Sequence, residues 1–146
     1  IAGLADLDVD GDGQKDALSI GALFTAKGAE ITGIANYIAP ENQEVTNTKE
    51  VNVPKAYVNS QSWVVIHEDD AGSPGPVIGH AQLNSGWNED VTVTLDRDVN
   101  DGETLHAMLH IDDGTQGTYE FGMGSDAPLT DGLGNVINET FTVTTP

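Results

Sequence analysis

The sequence predicts an all-β protein, an immunoglobulin-like antiparallel sandwich preceded by an N-terminal extension that carries a calcium loop. Three observations lead there. Abundant Val and Thr accompany 17 Gly and six Pro, the composition of many short strands joined by turns. From Val45 onward, short apolar runs recur between turn signals at the spacing of a sandwich. Ahead of them, Asp6-Leu-Asp-Val-Asp-Gly-Asp-Gly-Gln-Lys-Asp16 sets carboxylates at the interval of an oxygen-ligand loop. With 146 residues the chain is long enough for one real core, divided into an extension over 1–40 and a sandwich domain over 41–146.

In the acidic run, Asp8, Asp10 and Asp12 can wrap one hard cation, Gly13 allows the sharp turn, Gln14 offers its backbone carbonyl and Asp16 ligates directly or through water. A frame beginning at Asp6 is poorer, because Gln14 and Ala17 then fall where further oxygen ligands are wanted. In the Asp8 frame the twelfth residue is Ser19, so the bidentate Glu of a full EF-hand is missing and the affinity should suit extracellular calcium. The competing interpretation is a solvated acidic turn. Over its dozen residues the loop resembles those of dockerins and of the FG-GAP repeats of propeller proteins.

After it, Leu18, Ile20, Ala22 and Phe24 alternate as in a strand, and 30–38 can return as a second, although Ile31, Ile34 and Ile38 also fit a helix. Ala39-Pro40-Glu41-Asn42 ends the segment. Seven strands follow, near 44–53, 62–68, 77–83, 90–95, 104–111, 118–121 and 138–145. Their turns are Asp70-Ala-Gly-Ser-Pro-Gly, Asn84-Ser-Gly, Asn100-Asp-Gly, Asp113-Gly and Thr130-Asp-Gly, with Pro54 and Pro76 expected at strand ends or edges. Asp96-Arg-Asp-Val-Asn-Asp-Gly102 echoes calcium-ligand spacing but reads better as a charged hairpin turn.

Five basic against 24 acidic residues give a formal charge of −19, which repels a phosphate backbone or an anionic membrane and excludes nucleic acid as partner. The acidity fits calcium-rich or saline surroundings. Without cysteine there is neither a disulfide framework nor a thiolate metal site. No apolar run approaches the roughly 20 residues of a membrane span. With no initiator Met or signal peptide, the expectation is a processed, secreted chain.

The pattern Trp63-Val-Val-Ile-His-Glu-Asp-Asp, Pro76-Val-Ile-Gly-His, Val91-Thr-Val-Thr-Leu, Thr104-Leu-His-Ala-Met-Leu-His-Ile-Asp-Asp-Gly and Thr118-Tyr-Glu-Phe covers about two-thirds of the chain. It is similar to a β-sandwich domain of unassigned function found in secreted and surface proteins of archaea, haloarchaea in particular. The resemblance implies an extracellular module and supplies no catalytic residues.

Other candidates have dull alternatives. His67-Glu-Asp-Asp and His110-Ile-Asp-Asp echo each other; side by side, their strands would gather Asp69, Asp70, Asp112 and Asp113 on one rim as a second cation site, unless both are ordinary turns. Alternation puts Leu105, Ala107, Leu109 and Ile111 on a core face and His106, Met108 and His110 on the other. That second set can bind copper if His67 or His80 joins it, although a blue-copper site wants a Cys, and half-exposed sheet residues are the plainer expectation. Trp63 reads as a core anchor, Trp87 as an exposed loop contact, and Asn138-Glu-Thr140 as a glycosylation sequon usable only if Asn138 points outward. There is no Gly-x-Ser-x-Gly, His-Glu-x-x-His or phosphate loop, so an enzyme is not expected.

Two functions fit this sequence. One is a calcium-stabilised extracellular structural subunit of a surface layer, fibre, pilus or tube, self-associating into a homopolymer, with 18–26 as a donor strand. In logic this resembles the calcium-dependent tubes and strand-exchanging pili of archaea. The other is an adhesion module holding a glycan or surface protein in loops at 70–76, 86–89 and 114–117.

Overall fold

A computed structural model describes residues 35–146. The predicted calcium ligands Asp8, Asp10, Asp12, Gln14 and Asp16, and the donor segment 18–26, lie outside the described residues. The described residues form eight strands: β1 (Tyr37–Ala39), β2 (Gln43–Glu44), β3 (Glu50–Val58), β4 (Ser62–Asp70), β5 (Ser73–Leu83), β6 (Gly86–Thr94), β7 (Glu103–Ile111) and β8 (Asn138–Thr144). They form two sheets, β1-β3-β6 and β2-β8-β7-β4-β5. The chain enters the sandwich on one sheet and crosses at once to the other, the split first strand of an immunoglobulin-like fold. The fold class is as the sequence predicts, with one exception to the antiparallel rule: β2 pairs parallel with β8.

The core lies between the sheets, where Val51, Val53, Ala56, Val58 and Val93 of one meet Val64, Ile66, Leu105, Leu109, Phe141 and Val143 of the other. Each fully buried aliphatic side chain here contributes about 1.5–3 kcal/mol. Along β3 the inward positions change phase, from Val51 and Val53 to Ala56 and Val58. The slip falls at Pro54, which has no N–H for the ladder and lies opposite Asp90, itself at φ 50°. Pro54 thus sits inside a strand, on the stretch of β3 that β1 leaves unpaired, so it meets the expectation of an edge rather than that of a strand end. The expected strand at 44–53 is in fact two, β2 and the first half of β3, on different sheets.

The β4–β5 hairpin turns on only Ala71 and Gly72, at φ 52° and 93°, the pair of positive angles that matches the twist of the flanking strands. Pro74, Gly75 and Pro76 therefore belong to β5, beside a register shift around His67. Where β5 meets the end of β6, Gly79 bridges to Leu95; a Cβ there would stand 2.5 Å from the Thr94 carbonyl oxygen, so no other residue fits.

Two devices close the structure at its margins. β1 covers only part of β3, and beyond it the Gln43 side chain substitutes for a strand: its Nε2 donates to the Asn52 carbonyl at 2.8 Å, and its Oε1 accepts from the Asn52 N–H at 2.9 Å. Arg97 ties β4 to β7 by bonding Glu68 and, through both terminal nitrogens, Glu103. The hydrogen bond from Arg97 holds the Glu103 carboxyl below the usual carboxylate range.

The segment expected as a strand at 118–121 is not one. Residues 112–137 form a long connection with only isolated bridges, Phe121 to Ser125 and Thr130 to Val136 among them. Its alternating Tyr119 and Phe121 imitate a strand because both rings point at one surface, the outer face of the five-stranded sheet.

Candidate functional site

That outer face is where the chain concentrates its chemistry. The antiparallel register of β4 and β7 sets Trp63 opposite His110, Val65 opposite Met108 and His67 opposite His106, while β5 places His80 beside Val65. All four histidines of the chain therefore share one face. The half-exposed surface expected of them is not what forms. His67, His106, Met108 and His110 retain 6%, 1%, 6% and 0% of their accessible surface. The cover is the 112–137 connection: Tyr119 stacks on His80 at 4.0 Å and meets Trp63 edge-on at 5.5 Å, and Phe121 stands edge-on to His110 at 4.6 Å. Trp63 is an anchor, as expected, but of this second layer.

Asp126 pins the cover. Fully buried and at φ 58°, it accepts from the backbone N–H groups of Asp113 and Glu120. Its own N–H donates to Asp113 Oδ1 at 2.7 Å, and its carbonyl accepts from His110 Nδ1 at 2.8 Å. Asp112 Oδ2 accepts from Gln82 and from the Gly117 N–H. Nothing in the sequence marks Asp126 except its place in a Gly- and Asp-rich stretch.

The rim of four aspartates does not form. Because β4 and β7 run antiparallel, Asp69 and Asp70 end one strand at one pole and Asp112 and Asp113 follow the other at the opposite pole. The same geometry separates the turn near 70–76 from 114–117, so the loops proposed to share one ligand do not meet.

The histidines differ in state. His67 Nδ1 and His110 Nδ1 each donate to a carbonyl, of Gly75 and Asp126, both at 2.8 Å. A carbonyl only accepts, so in both neutral rings the lone pair is on Nε2. Burial pushes His67 below the ordinary imidazole range and His110 down to about 4. His106 instead donates Nε2–H to Asp69 Oδ1 at 2.7 Å and accepts at Nδ1 from Asn138 Nδ2 at 3.1 Å. The bond from His106 holds the Asp69 carboxyl low. His106 is thus occupied, and the sequon nitrogen of Asn138 is turned inward, away from any sugar. His80, exposed and stacked on Tyr119, stands apart.

Among the described residues, the buried side-chain polar atoms without a partner are Trp63 Nε1, His67 Nε2, Asp112 Oδ1, Tyr119 O–H and Asn138 Oδ1. All five belong to this face or its cover. Burial raises the Tyr119 hydroxyl to about 12, so it keeps its proton.

The opposite sheet carries a smaller feature. Trp87, half exposed at 51%, meets Tyr57 and Tyr37 edge-on at 5.2 and 6.2 Å, with Lys55 Nζ 5.5 Å from its ring. It is exposed, as the sequence suggests, but stands on β6 rather than in a loop.

Fold and site together define an immunoglobulin-like sandwich module with a second, histidine-rich layer under a long covering connection. No helix long and apolar enough to cross a membrane occurs among the described residues. The chain belongs to the family described as a domain of unknown function, DUF7282, which matches residues 36–144. It is also similar to Cell surface glycoprotein 1 and Cell surface glycoprotein 2 of Haloarcula hispanica, each 30% identical over 139 residues. Those matches take in 94% of this chain but only 14% of each relative, so the chain spans about one-seventh of the curated relatives it matches. The chain is an extracellular, cell-surface protein.

Proposed function

We propose that this chain is a calcium-stabilised structural module of a cell-surface assembly: a layer, fibre, pilus or tube, joined to further copies by donor-strand exchange. The observation that supports the reading is the coincidence of the family match, 36–144, with the sandwich, in relatives named as surface glycoproteins of which such a segment is a small part. Calcium would sit among Asp8, Asp10, Asp12, the Gln14 carbonyl and Asp16, at the affinity of an extracellular site. Gln43 blocks the exposed part of β3, whereas β6 has nine residues and no strand beyond it among the described residues. That edge is the natural acceptor for residues 18–26 of a second copy.

Electron microscopy of the purified chain with and without calcium tests this reading. Polymers that EDTA disperses, and that deletion of residues 1–34, which leaves β1 in place, reduces to monomers, are the expected result. A monomer in millimolar calcium, or polymers indifferent to both treatments, would refute it.

The Trp87, Tyr57 and Tyr37 cluster favours a second reading, an adhesion module. Beside it lies a groove of about 400 Å³ lined in part by Tyr37, Lys55 and Glu89. Stacking on such rings is a common mode of sugar binding, and Trp87→Ala should then abolish binding to a glycan array. Binding that survives the substitution removes this reading.

A further inference from the structure

We propose that His67 Nε2, Met108 Sδ and His110 Nε2 form a buried binding site for one soft monovalent cation of the copper(I) class. In the ladder of β4 and β7 the Val65–Met108 pair separates the His67 and His110 positions, all on one face of the sheet. The ring centroids of His67 and His110 are 5.9 Å apart and tilted by 34°. Two imidazoles sharing one ion through bonds of about 2.0 Å have centroids roughly 6 Å apart. Met108 Sδ is 3.2 Å from His110 Nε2. Ligands about 2.0 and 2.3 Å from a common ion stand roughly 3.5 Å from each other.

The hydrogen bonding points the same way. With Nδ1 of each ring donating to a backbone carbonyl, Nε2 has no proton to give, so at His110 a lone pair faces the lone pairs of a thioether. His67 Nε2 is buried and lacks a partner. A ring whose far nitrogen is anchored to a carbonyl, leaving the near one as a bare donor, is the usual preparation of a metal-binding histidine. The low affinity of both rings for protons keeps the donors free at neutral pH.

The donor set selects the ion. Among the described residues no three His, Asp or Glu side chains surround one point, so a hard or borderline divalent ion lacks its ligands. Two imidazoles and a thioether without a carboxylate suit copper(I), which accepts few, soft ligands. The buried Asp126, close enough to act on His110, offsets the added charge. The site is independent of the calcium loop and of polymer formation, so its test stands apart from theirs.

The 146-residue chain is titrated anaerobically with copper(I) against a competing chromophoric chelator, with ascorbate present. The expected result is one ion per chain and an X-ray absorption spectrum showing one sulfur and two nitrogen neighbours. Met108→Leu preserves packing, and His67→Asn keeps the donor to Gly75; each should weaken binding at least about tenfold, with the sulfur neighbour lost in the first. His80→Asn and Met123→Leu, both at exposed positions, should change nothing. Should a buried variant fail to fold, the wild-type spectrum decides. No copper retained against the chelator, copper bound without sulfur, or binding lost with His80→Asn overturns the proposal.

Discussion

Asp126→Ala is expected to detach the 112–137 connection from the five-stranded sheet while the sandwich beneath stays folded. The carboxylate satisfies two backbone N–H groups of the cover, and alanine leaves both without an acceptor. Each such loss costs about 1–3 kcal/mol, so the covered state should weaken by about 3 kcal/mol. Alanine also tolerates the left-handed backbone at this position less well than aspartate. Hydrogen exchange reads the result. The N–H groups of Leu129 and Ile137, bonded to the Leu109 and Leu129 carbonyls at 2.8 and 3.0 Å, should exchange about a hundredfold faster, while Val64 and Ile66 keep their protection. Asp126→Asn, which retains one acceptor oxygen, should show a smaller effect. Unchanged exchange, or global unfolding, would mean that the cover is held by something else.

Acid should act on the same layer. An imidazole that falls from 6.5 in the unfolded chain to about 4 at His110 binds its proton preferentially when unfolded. Its contribution is therefore complete above about pH 6.5 and declines as pH drops toward 4, by about 3 kcal/mol, with His67 acting in the same direction. The formal charge of −19 works oppositely, since acid relieves carboxylate repulsion. Comparison with His110→Asn, which can still donate to the Asp126 carbonyl, isolates the histidine. Denaturant titrations at a series of pH values should show the wild type losing stability relative to the variant over that window. Parallel curves would refute the assignment.

The strands that the sequence revealed are those whose pattern has one interpretation. Val91-Thr-Val-Thr-Leu alternates because only one face of β6 is buried, and β7 is legible in all but its first residue, Glu103. β3 was cut short because Pro54 breaks the period in the middle of a strand. The continuous run Trp63-Val-Val-Ile-His belongs to a strand buried on both sides, where a sandwich ordinarily leaves one face wet. What covers the second face could not be read, since Tyr119 and Phe121 alternate as in a strand while belonging to none. The sequence offers His67 as a partner for Met108 and His110, but the bonds that free the Nε2 of His67 and of His110 come from Gly75 and Asp126 respectively, whose positions depend on a register shift and a long connection. Periodicity carries neither.

The parallel pairing of β2 with β8 has a mechanical side. Both strands point the same way, one near the start of the sandwich and one at its finish, so the polypeptide enters at one pole and exits at the other. Tension along the backbone would drag β2 and β8 in opposite senses, loading the Val45 to Thr144 bond and its neighbours in shear, together, instead of peeling them one by one. A domain wired in this manner resists stretching best along the axis of the β2–β8 pair.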